Sequence, residues 1–392
     1  MTRPATPHTM SEISDVLAAI SALHARGERM ALATIVSVRG STYRRPGARL
    51  LVPEHGAPVG NVSGGCLEGD VERVGREVMA SGEPRLELFD LTADGDEVWG
   101  YGLGCNGAME LFIEPAEHVV ATASALREAV EQERACCLAT VIASGTDGVR
   151  PGARLLVHAD GRREGGIGSA ESDARVTDLA RHALETGSGG VELVQPGDLR
   201  VFAEVLLPPP RLLVCGAGHD AVPLVRQAAG LGWRVTVADV RRPFLTRERF
   251  PEASAFLDVE PRAIASAFGP DARSFAVVMT HNYLRDIDYL RSLLGCPLAY
   301  LGVLGPRRRT DQMLAELERD GVTLTDAERA VLHAPAGLDL GAEGPEEVAW
   351  SIVAEMLAVH RGRRGAPLRE RLAPIHEVPD PERTAAGIPT SD

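Results

Sequence analysis

The sequence predicts an α/β protein with an N-terminal β-rich α+β domain that contains an internal duplication, and a C-terminal Rossmann-type domain with a doubly wound parallel sheet. Three observations lead to this prediction. Short segments repeat within the first half, a glycine-rich turn separates a strand pattern from a helix pattern in the second half, and three consecutive prolines stand between the halves. Because consecutive prolines favour an extended spacer, we place the boundary there. The expected divisions are an N-terminal domain at 1–207, a Rossmann-type domain at 211–360 and a mobile tail at 361–392.

Composition indicates an ordinary globular protein and excludes several classes. The chain has 392 residues, of which 44% are hydrophobic and 24% charged, and its net charge is -14. An acidic protein repels phosphate backbones, so no nucleic-acid partner is expected. No apolar run approaches the roughly 20 residues that cross a bilayer, and the first residues lack the apolar segment of a secretory signal. The six cysteines show no C-x-x-C spacing, so the cytoplasm is the expected location.

Four short segments of the first half recur in the same order and at similar spacing. The pairs, with the copy-one member first, are 32–36 and 138–142, 45–52 and 150–157, 86–89 and 191–194, and 111–114 and 201–204. We therefore expect two related β-rich units, at about 31–115 (copy one) and 137–205 (copy two). Two copies indicate a pseudo-symmetric domain, because a solenoid needs at least three repeats.

The two copies differ in their cysteine-bearing loops. Copy one has Ser-Gly-Gly-Cys-Leu-Glu at 63–68, and comparison of the sequences sets it against Gly-Gly-Ile-Gly-Ser at 165–169, which has no cysteine. A second glycine-rich loop at 99–107 carries Cys105 and has no counterpart in copy two. Both copies must keep what the fold needs, whereas only one must keep what the chemistry needs. Cys66 and Cys105 are therefore predicted to be functional, although most cytoplasmic cysteines are small buried apolar residues.

The second half opens with a dinucleotide-type turn. The apolar run at 211–215 is followed at once by Gly-Ala-Gly-His-Asp-Ala, a G-x-G-x-x-A sequence, and then by a helix pattern. In this context Gly216 permits the tight turn and Gly218 lets the backbone approach a pyrophosphate at the helix N-terminus. Asp239 ends the next strand, where a ribose hydroxyl would be held. The alternative is a structural glycine turn in a domain that binds something else.

Two histidines and an arginine cluster stand at predicted strand ends. His281 follows the strong strand pattern at 275–279, and His219 begins the first helix. Ligands of open parallel sheets bind at the carboxyl ends of the strands, so both histidines are candidates for binding or catalysis. Capping or core roles are the alternative. Three arginines at 307–309 suit a phosphate, or form a solvated basic turn.

These residues resemble the xanthine dehydrogenase accessory factor family (XdhC/CoxI type). The segments that carry the resemblance are 39–49, 63–68, 102–107, 216–219, 280–281, 300–305, 335–338 and 345–349, within a match that covers about 12–360. The resemblance implies a maturation factor or chaperone more than a stand-alone catalyst. It also implies that the chain binds the molybdenum cofactor (molybdopterin), supports its sulfuration by a cysteine desulfurase, protects it and delivers it to a xanthine dehydrogenase-type apoenzyme. One departure is Asp220, where many relatives have a residue such as Val. A negative charge beside a pyrophosphate is unfavourable, so this residue counts against simple dinucleotide binding.

Together these arguments predict a cofactor site in the copy-one loops. Their backbone would approach the pterin phosphate or dithiolene. Glu68 and either Arg44 or Arg45 would orient the pterin or its phosphate, and the two thiols would contact molybdenum or relay a persulfide. The candidate residues are Arg44, Arg45, Ser63, Gly64, Gly65, Cys66, Glu68, Gly104, Cys105 and Gly107 in the first domain, and Gly216, Gly218, His219, Asp239 and His281 in the second.

Two rival interpretations stay open. An NAD(P)-dependent oxidoreductase would use the glycine turn and Asp239, with His281 as partner in hydride transfer, but it does not explain the N-terminal domain. A cofactor-free scaffold would only dock a cysteine desulfurase onto the apoenzyme. The sequence leaves open which hydroxylase is served, the form of the pterin, the ligand of the Rossmann domain and the formation of a homodimer.

Overall fold

The structure is a computed structural model that describes residues 8–9, 11–40, 42–90, 107–131, 134–194 and 199–371. Two compact units divide between Pro208 and Pro209. The loop that carries Gly104 and Cys105 lies outside the described residues, as does most of the tail predicted at 361–392. Among the helices of the described part, none is long and apolar enough to cross a membrane.

The described residues of the first unit form mainly antiparallel strands and four helices. Its elements are β1 (His8–Thr9), α1 (Ser11–Ala25), β2 (Met30–Gly40), β3 (Arg49–Pro53), β4 (Val59–Gly60), α2 (Glu68–Ser81), β5 (Arg85–Asp90), β6 (Gly107–Pro115), α3 (Glu117–Glu131), β7 (Cys136–Ala143), β8 (Arg154–His158), β9 (Arg163–Gly166), α4 (Ala170–Thr186), β10 (Gly190–Val194) and β11 (Leu199–Leu207).

The internal duplication is confirmed by the pairing of these strands. One sheet has the order β4-β3-β2-β6-β5, and the other has β9-β8-β7-β11 with β10 beside β11 and a short parallel contact from β1. The registers agree as well, since Leu50 pairs with Gly60 as Leu155 pairs with Gly165. Each copy also begins with a helix, α1 or α3, so the repeat extends further towards the N-terminus than the strand pattern alone indicates.

The register corrects the comparison of the cysteine-bearing loop. Because residue 60 corresponds to 165, Ser-Gly-Gly-Cys at 63–66 lies opposite Gly-Ser-Ala-Glu at 168–171, three residues later than the sequence comparison suggests. Gly165 belongs instead to β9, where its positive φ of 87° and the nearby Arg154 carbonyl exclude a Cβ, as at Gly60 in copy one. Copy two still lacks the thiol, since Glu171 stands at the position of Cys66.

Helices cover both sheets of the first unit. α2 packs on the copy-one sheet and α4 on the copy-two sheet, each burying one apolar face. α1 and α3 pack against each other and against residues of both sheets. The sheets meet through a small apolar cluster of equivalent residues, Val36 and Phe112 from copy one and Ile142 and Phe202 from copy two.

Two buried ion pairs join the copies by exchange. Arg49 of copy one pairs with Glu204 of copy two, and the equivalent Arg154 of copy two pairs with Glu114 of copy one. The four side chains are at most 8% exposed. Each arginine also donates to a carbonyl of its own loop, at Gly47 or Gly152. The pairs therefore hold the Arg-Pro-Gly-Ala-Arg loop of each copy against the other copy.

The second unit is a parallel sheet with helices on both faces. Its elements are β12 (Arg211–Cys215), α5 (Ala221–Gly230), β13 (Arg234–Ala238), β14 (Ala255–Leu257), α6 (Ile264–Phe268), β15 (Ser274–Val278), α7 (Tyr283–Leu293), β16 (Leu298–Val303), α8 (Arg307–Arg319), α9 (Asp326–Val331), β17 (Leu332–His333) and α10 (Pro345–His360), with 3-10 turns at Arg242–Phe244, Pro261–Ala263 and Leu368–Glu370.

The strand order confirms the Rossmann-type prediction. The order β14-β13-β12-β15-β16-β17 is 3-2-1-4-5-6, and every pairing is parallel. α5 and α10 cover one face, and α6, α7 and α8 cover the other. The order reverses between β12 and β15, so the crevice of this fold lies at the ends of those two strands.

Removal of one buried carboxylate should destabilise the first unit strongly. Glu114→Ala leaves Arg154 buried without its counter-ion, and we expect a loss of about 3–5 kcal/mol in the free energy of unfolding, measured by urea denaturation. Glu110→Ala is the matched control, because its pair with Arg200 is partly exposed, and about 1 kcal/mol or less is expected. Equal losses would contradict a structural role for the exchanged pairs.

Candidate functional site

The loop before α2 is organised by one hydroxyl and one carboxylate. The Ser63 hydroxyl accepts hydrogen bonds from the N–H groups of residues 65, 66 and 67, each at 3.1 Å, and donates to Glu68. Glu68 also accepts from the Ser63 N–H at 2.9 Å and the Leu67 N–H at 3.2 Å. Burial acts to raise the pKa of Glu68, but the hydrogen bonds outweigh it and hold that pKa below its usual range. Both candidates thus shape the loop, with their polar atoms turned to its backbone.

Copy two keeps the same device with a different acid. Asp173 stands at the position of Glu68 and accepts from the Ile167 N–H at 2.7 Å, while Ser169 caps α4. A carboxylate bonded to the loop backbone therefore belongs to the shared architecture. The Ser63 hydroxyl and the Cys66 thiol of copy one have no counterparts in copy two, where Gly168 and Glu171 stand at those positions.

Cys66 and the two glycines of this loop lie at the surface of copy one. The Cys66 side chain is partly buried against the copy-one core, and its thiol is free. Gly65 has a φ of 105°, a left-handed conformation that favours glycine. The ring of Tyr43 lies over Gly64, since a Cβ placed on Gly64 would be 3.8 Å from Tyr43 Cγ. The structure thus joins the loop at 42–48 to the cysteine loop.

A pocket of about 140 Å³ lies beside this junction, and we call it the copy-one pocket. Its walls include the polar residues Arg44, Arg49 and Asn61, the backbone at Gly60, and the apolar Ile13 and Val16 of α1. Arg44 Nε is buried and has no hydrogen-bond partner among the described residues. A buried donor without a partner is costly, and a pocket with such a donor fits a ligand that accepts hydrogen bonds.

The other first-unit candidates have different surroundings. Arg45 is half-buried and its carbonyl accepts from the Ala48 N–H, in the turn that both copies share. Gly107 is buried in β6, where it pairs with Gly40 of β2. Gly104 and Cys105 lie outside the described residues, so the predicted pairing of two thiols stays a prediction.

In the second unit, the glycine turn stands at the switch point. Gly216 has a φ of 127°, and a Cβ there would lie 2.7 Å from the Met279 carbonyl oxygen, so the turn requires glycine where β12 and β15 end. The Asp220 carboxylate covers Gly218, because a Cβ on that glycine would be 2.6 Å from Asp220 Oδ1. The backbone expected to approach a pyrophosphate therefore faces a carboxylate.

The structure pairs Asp220 with His281. His281 Nε2 lies 2.6 Å from Asp220 Oδ2, and the histidine side chain is 64% exposed. Among non-glycine residues of the described part, His281 alone has a positive φ, of 59°. This strained backbone turns the imidazole back towards the glycine turn. His219 is also at this edge and is exposed.

Asp239 is engaged by protein groups. Its carboxylate accepts from the Ala217 N–H at 2.8 Å, from the Arg241 N–H at 2.8 Å and from the Arg241 guanidinium at 2.6 Å. Burial acts to raise the pKa of Asp239, and the bonds from Arg241 outweigh it and lower that pKa. The residue expected to hold a ribose hydroxyl thus braces the glycine turn.

Sequence reasoning missed a second network at this edge. Asp286, which is fully buried, accepts from the Thr280 N–H at 3.1 Å and from Arg309 Nη2 at 2.6 Å. Arg309 is therefore paired, whereas Arg307 and Arg308 are exposed. The signal in the sequence was the pair of acidic residues at 286 and 288 after the strand, but nothing indicated which arginine would meet them.

Several residues that carry the family resemblance act in the fold of the second unit. The Tyr300 hydroxyl donates to Glu355 at 2.6 Å, the Gly337 N–H donates to the same carboxylate at 2.8 Å, and His333 Nδ1 lies 3.0 Å from it. Gly337 cannot carry a Cβ because Ser351 fills that space. The described residues hold no group of three or more His, Cys, Asp or Glu side chains that could bind a metal ion.

Loss of the organising hydroxyl should weaken copy one more than loss of the hydroxyl that caps α4 weakens copy two. Ser63→Ala removes the acceptor for three N–H groups, and we expect it to cost about 2 kcal/mol, near the upper end for a helix cap. Ser169→Ala removes an ordinary cap with one backbone partner and should cost about 1 kcal/mol. Thermal unfolding of both variants provides the comparison, and equal costs would show that Ser63 is only a cap.

Comparisons with known proteins assign the chain to a family. The family model "XdhC and CoxI family" matches residues 23–90 and 129–195, which fall in copy one and copy two, and the model "XdhC Rossmann domain" matches 212–356. A Bacillus subtilis protein whose name describes a probable xanthine dehydrogenase subunit is 31% identical over 337 residues, 85% of this chain and 94% of that protein. "Molybdenum cofactor insertion chaperone PaoD" of Escherichia coli is 25% identical over 85% of this chain and 84% of its own length. A solved structure described as a xanthine dehydrogenase from Bacillus halodurans has a TM-score of 0.72 and is 27% identical in sequence. The structural match covers 91% of this chain and 99% of that one. The chain belongs to the XdhC and CoxI family.

Proposed function

We propose that this chain takes part in the maturation of a xanthine dehydrogenase-type enzyme by carrying the molybdenum cofactor on the copy-one loops. It supports the sulfuration of the cofactor, protects it and delivers it to the apoenzyme. The two relatives described above, one named for cofactor insertion and the other for xanthine dehydrogenase, support a role in this process. The sulfur donor in this proposal is a cysteine desulfurase.

The observation that carries the proposal is a free thiol in a braced loop that contacts, through Gly64 and Tyr43, a second loop with an unpartnered arginine Nε. Cys66 follows backbone that Ser63 holds in place, and Arg44 of the neighbouring loop presents a buried donor without a partner among the described residues. Thiolate is a soft ligand that suits molybdenum, and guanidinium suits the phosphate of a pterin. The residues present thus fit the two chemically distinct ends of this cargo.

The roles within the site follow from these contacts. Cys66 would contact the metal end of the cofactor, and Arg44 would bind an acidic group of the pterin. Ser63 and Glu68 act on the ligand only through the loop, since their polar atoms bond the loop backbone and each other. The bound cofactor supplies the molybdenum chemistry of the target enzyme, and this chain supplies binding and protection.

Cofactor content after purification tests the proposal. Protein isolated from cells that make the cofactor should hold nearly stoichiometric molybdenum and pterin, and Cys66→Ser should lose most of both because the soft ligand is gone. Cys296→Ser is the matched control, since that free cysteine lies in the second unit. Retention of pterin by Cys66→Ser would exclude the thiol from binding. Empty wild-type protein that still docks a desulfurase onto the apoenzyme would favour the cofactor-free scaffold.

The NAD(P)-dependent alternative is disfavoured by two carboxylates. Asp220 lies against Gly218, where the pyrophosphate would approach, and Asp239 is bonded to Arg241 and Ala217. A pyrophosphate at this turn would meet a like charge.

We therefore expect no saturable quenching or enhancement when NADH or NADPH fluorescence is followed during titration with the wild-type chain. Asp220→Val removes the like charge and should bind either nucleotide more tightly than the wild type does. Asp311→Val, at an exposed position on α8, is the control for a change of surface charge. Tight binding by the wild-type chain would revive the oxidoreductase.

A further inference from the structure

The duplication supplies an internal reference for the copy-one pocket. Counted back from the shared Arg-Pro-Gly-Ala-Arg sequence, Tyr43 and Arg44 of copy one correspond to Gly148 and Val149 of copy two. The strands and turns on either side keep the same register, and the turn bonds from residues 47 and 152 to the strands at 35 and 141 are the same. The turn at 45–49 therefore has its counterpart in copy two without the aromatic ring and without the arginine, although the backbone just before it differs, since Gly148 has a φ of 80° and Tyr43 has no positive φ.

Position 44 shows the difference most clearly. Val149 is 6% exposed and packs in the apolar core of copy two. At the equivalent position copy one has a guanidinium whose Nε is buried and has no partner among the described residues. An unpaired buried donor destabilises the free protein, and a ligand in the pocket that accepts its hydrogen bond would relieve that cost.

The charge of the pocket comes from this arginine. Arg49 also lines the pocket, but both of its terminal nitrogens bond Glu204, which neutralises it. Asn61 adds a neutral polar group. The lining residues thus leave one positive charge, on Arg44, in a space of about 140 Å³, far larger than the roughly 10–15 Å³ that one water needs. A single phosphate group matches that charge and size.

Position 43 adds a flat apolar surface. Tyr43 is 64% exposed although it is a large aromatic residue, and its ring lies close to Gly64. Gly148 has no side chain at the equivalent place in copy two. An exposed aromatic ring offers a flat surface on which a planar heterocycle can stack.

We infer that the copy-one pocket is a phosphate subsite in which Arg44 binds the phosphate of the pterin, while Tyr43 stacks on the pterin ring. This inference rests on the proposed function, because it orients the same cargo, with the phosphate at Arg44 and the metal end at the loop of Cys66. Copy two has no equivalent of this subsite, because glycine and valine occupy the corresponding positions.

Replacement with the copy-two residues tests the inference. Arg44→Val and Tyr43→Gly should each lower the affinity for the pterin about tenfold or more, measured as pterin retained during dialysis of the loaded full chain. Arg44→Lys keeps the charge and should lose less than Arg44→Val. Arg181→Ala is the control, since this exposed arginine on α4 has only a long contact to Asp178. Circular dichroism should be unchanged, and Arg44→Gln serves if Arg44→Val does not fold.

A second measurement separates failure of this inference from failure of the proposed function. Inorganic phosphate should broaden in phosphorus NMR on addition of cofactor-free wild-type chain, and this broadening should be lost in Arg44→Val or Arg44→Gln. If wild-type and Arg44 variants retain pterin equally, the subsite is refuted and the carrier function stands. If the wild-type chain holds no pterin, the carrier function fails, and the phosphate experiment alone decides whether the pocket binds an anion. Broadening that depends on Arg44 then supports an anion subsite, and its absence overturns it.

Discussion

Two buried Arg–Glu pairs, exchanged between the copies, set the arrangement of the first unit. Arg49 and Arg154 each end the same five-residue turn, and each finds its carboxylate on the other copy. A buried charge without a counter-ion is strongly destabilising, so neither copy can satisfy its own arginine alone. One of the two pairs also links copy two to the candidate site in copy one. Glu204 of copy two holds Arg49, which forms part of the copy-one pocket. Copy two therefore supports the candidate site through Glu204, which positions an arginine of the pocket wall.

The duplication separates structural residues from residues that serve a ligand. The turn at 45–49, the carboxylate bonded to the loop before α2, and the glycines at 60 and 165 occur in both copies and are explained by folding. Tyr43, Arg44 and Cys66 occur only in copy one, and glycine, valine and glutamate replace them. Because the strands of both copies pair in the same register, the sheets form without these three side chains. They lie on two loops that contact each other through Tyr43 and Gly64.

Local patterns were sufficient to predict the classes of the two units. The repeated segments and the glycine turn depend on short-range rules of strand pairing and turn geometry, and both are present in the structure. The alignment of the cysteine loop was wrong by three residues, because glycine-rich loops have no apolar periodicity to set their register. Contacts between distant residues were also invisible. Arg49 and Glu204 are 155 residues apart, and Asp220 and His281 are 61 apart. Tyr43 lies within a segment that carries the family resemblance, but its position over Gly64 depends on the fold and could not be predicted from the sequence.

Hydrogen exchange on the full chain, with and without bound molybdenum cofactor, tests the central claim most directly. That claim is that copy one holds the cofactor and copy two supports it. The account predicts that loading slows amide exchange at 43–48 and 60–68, while the equivalent segments at 148–153 and 165–173 stay unchanged. Equal protection of both copies, or protection confined to 216–221 and 280–286 in the second unit, would contradict it.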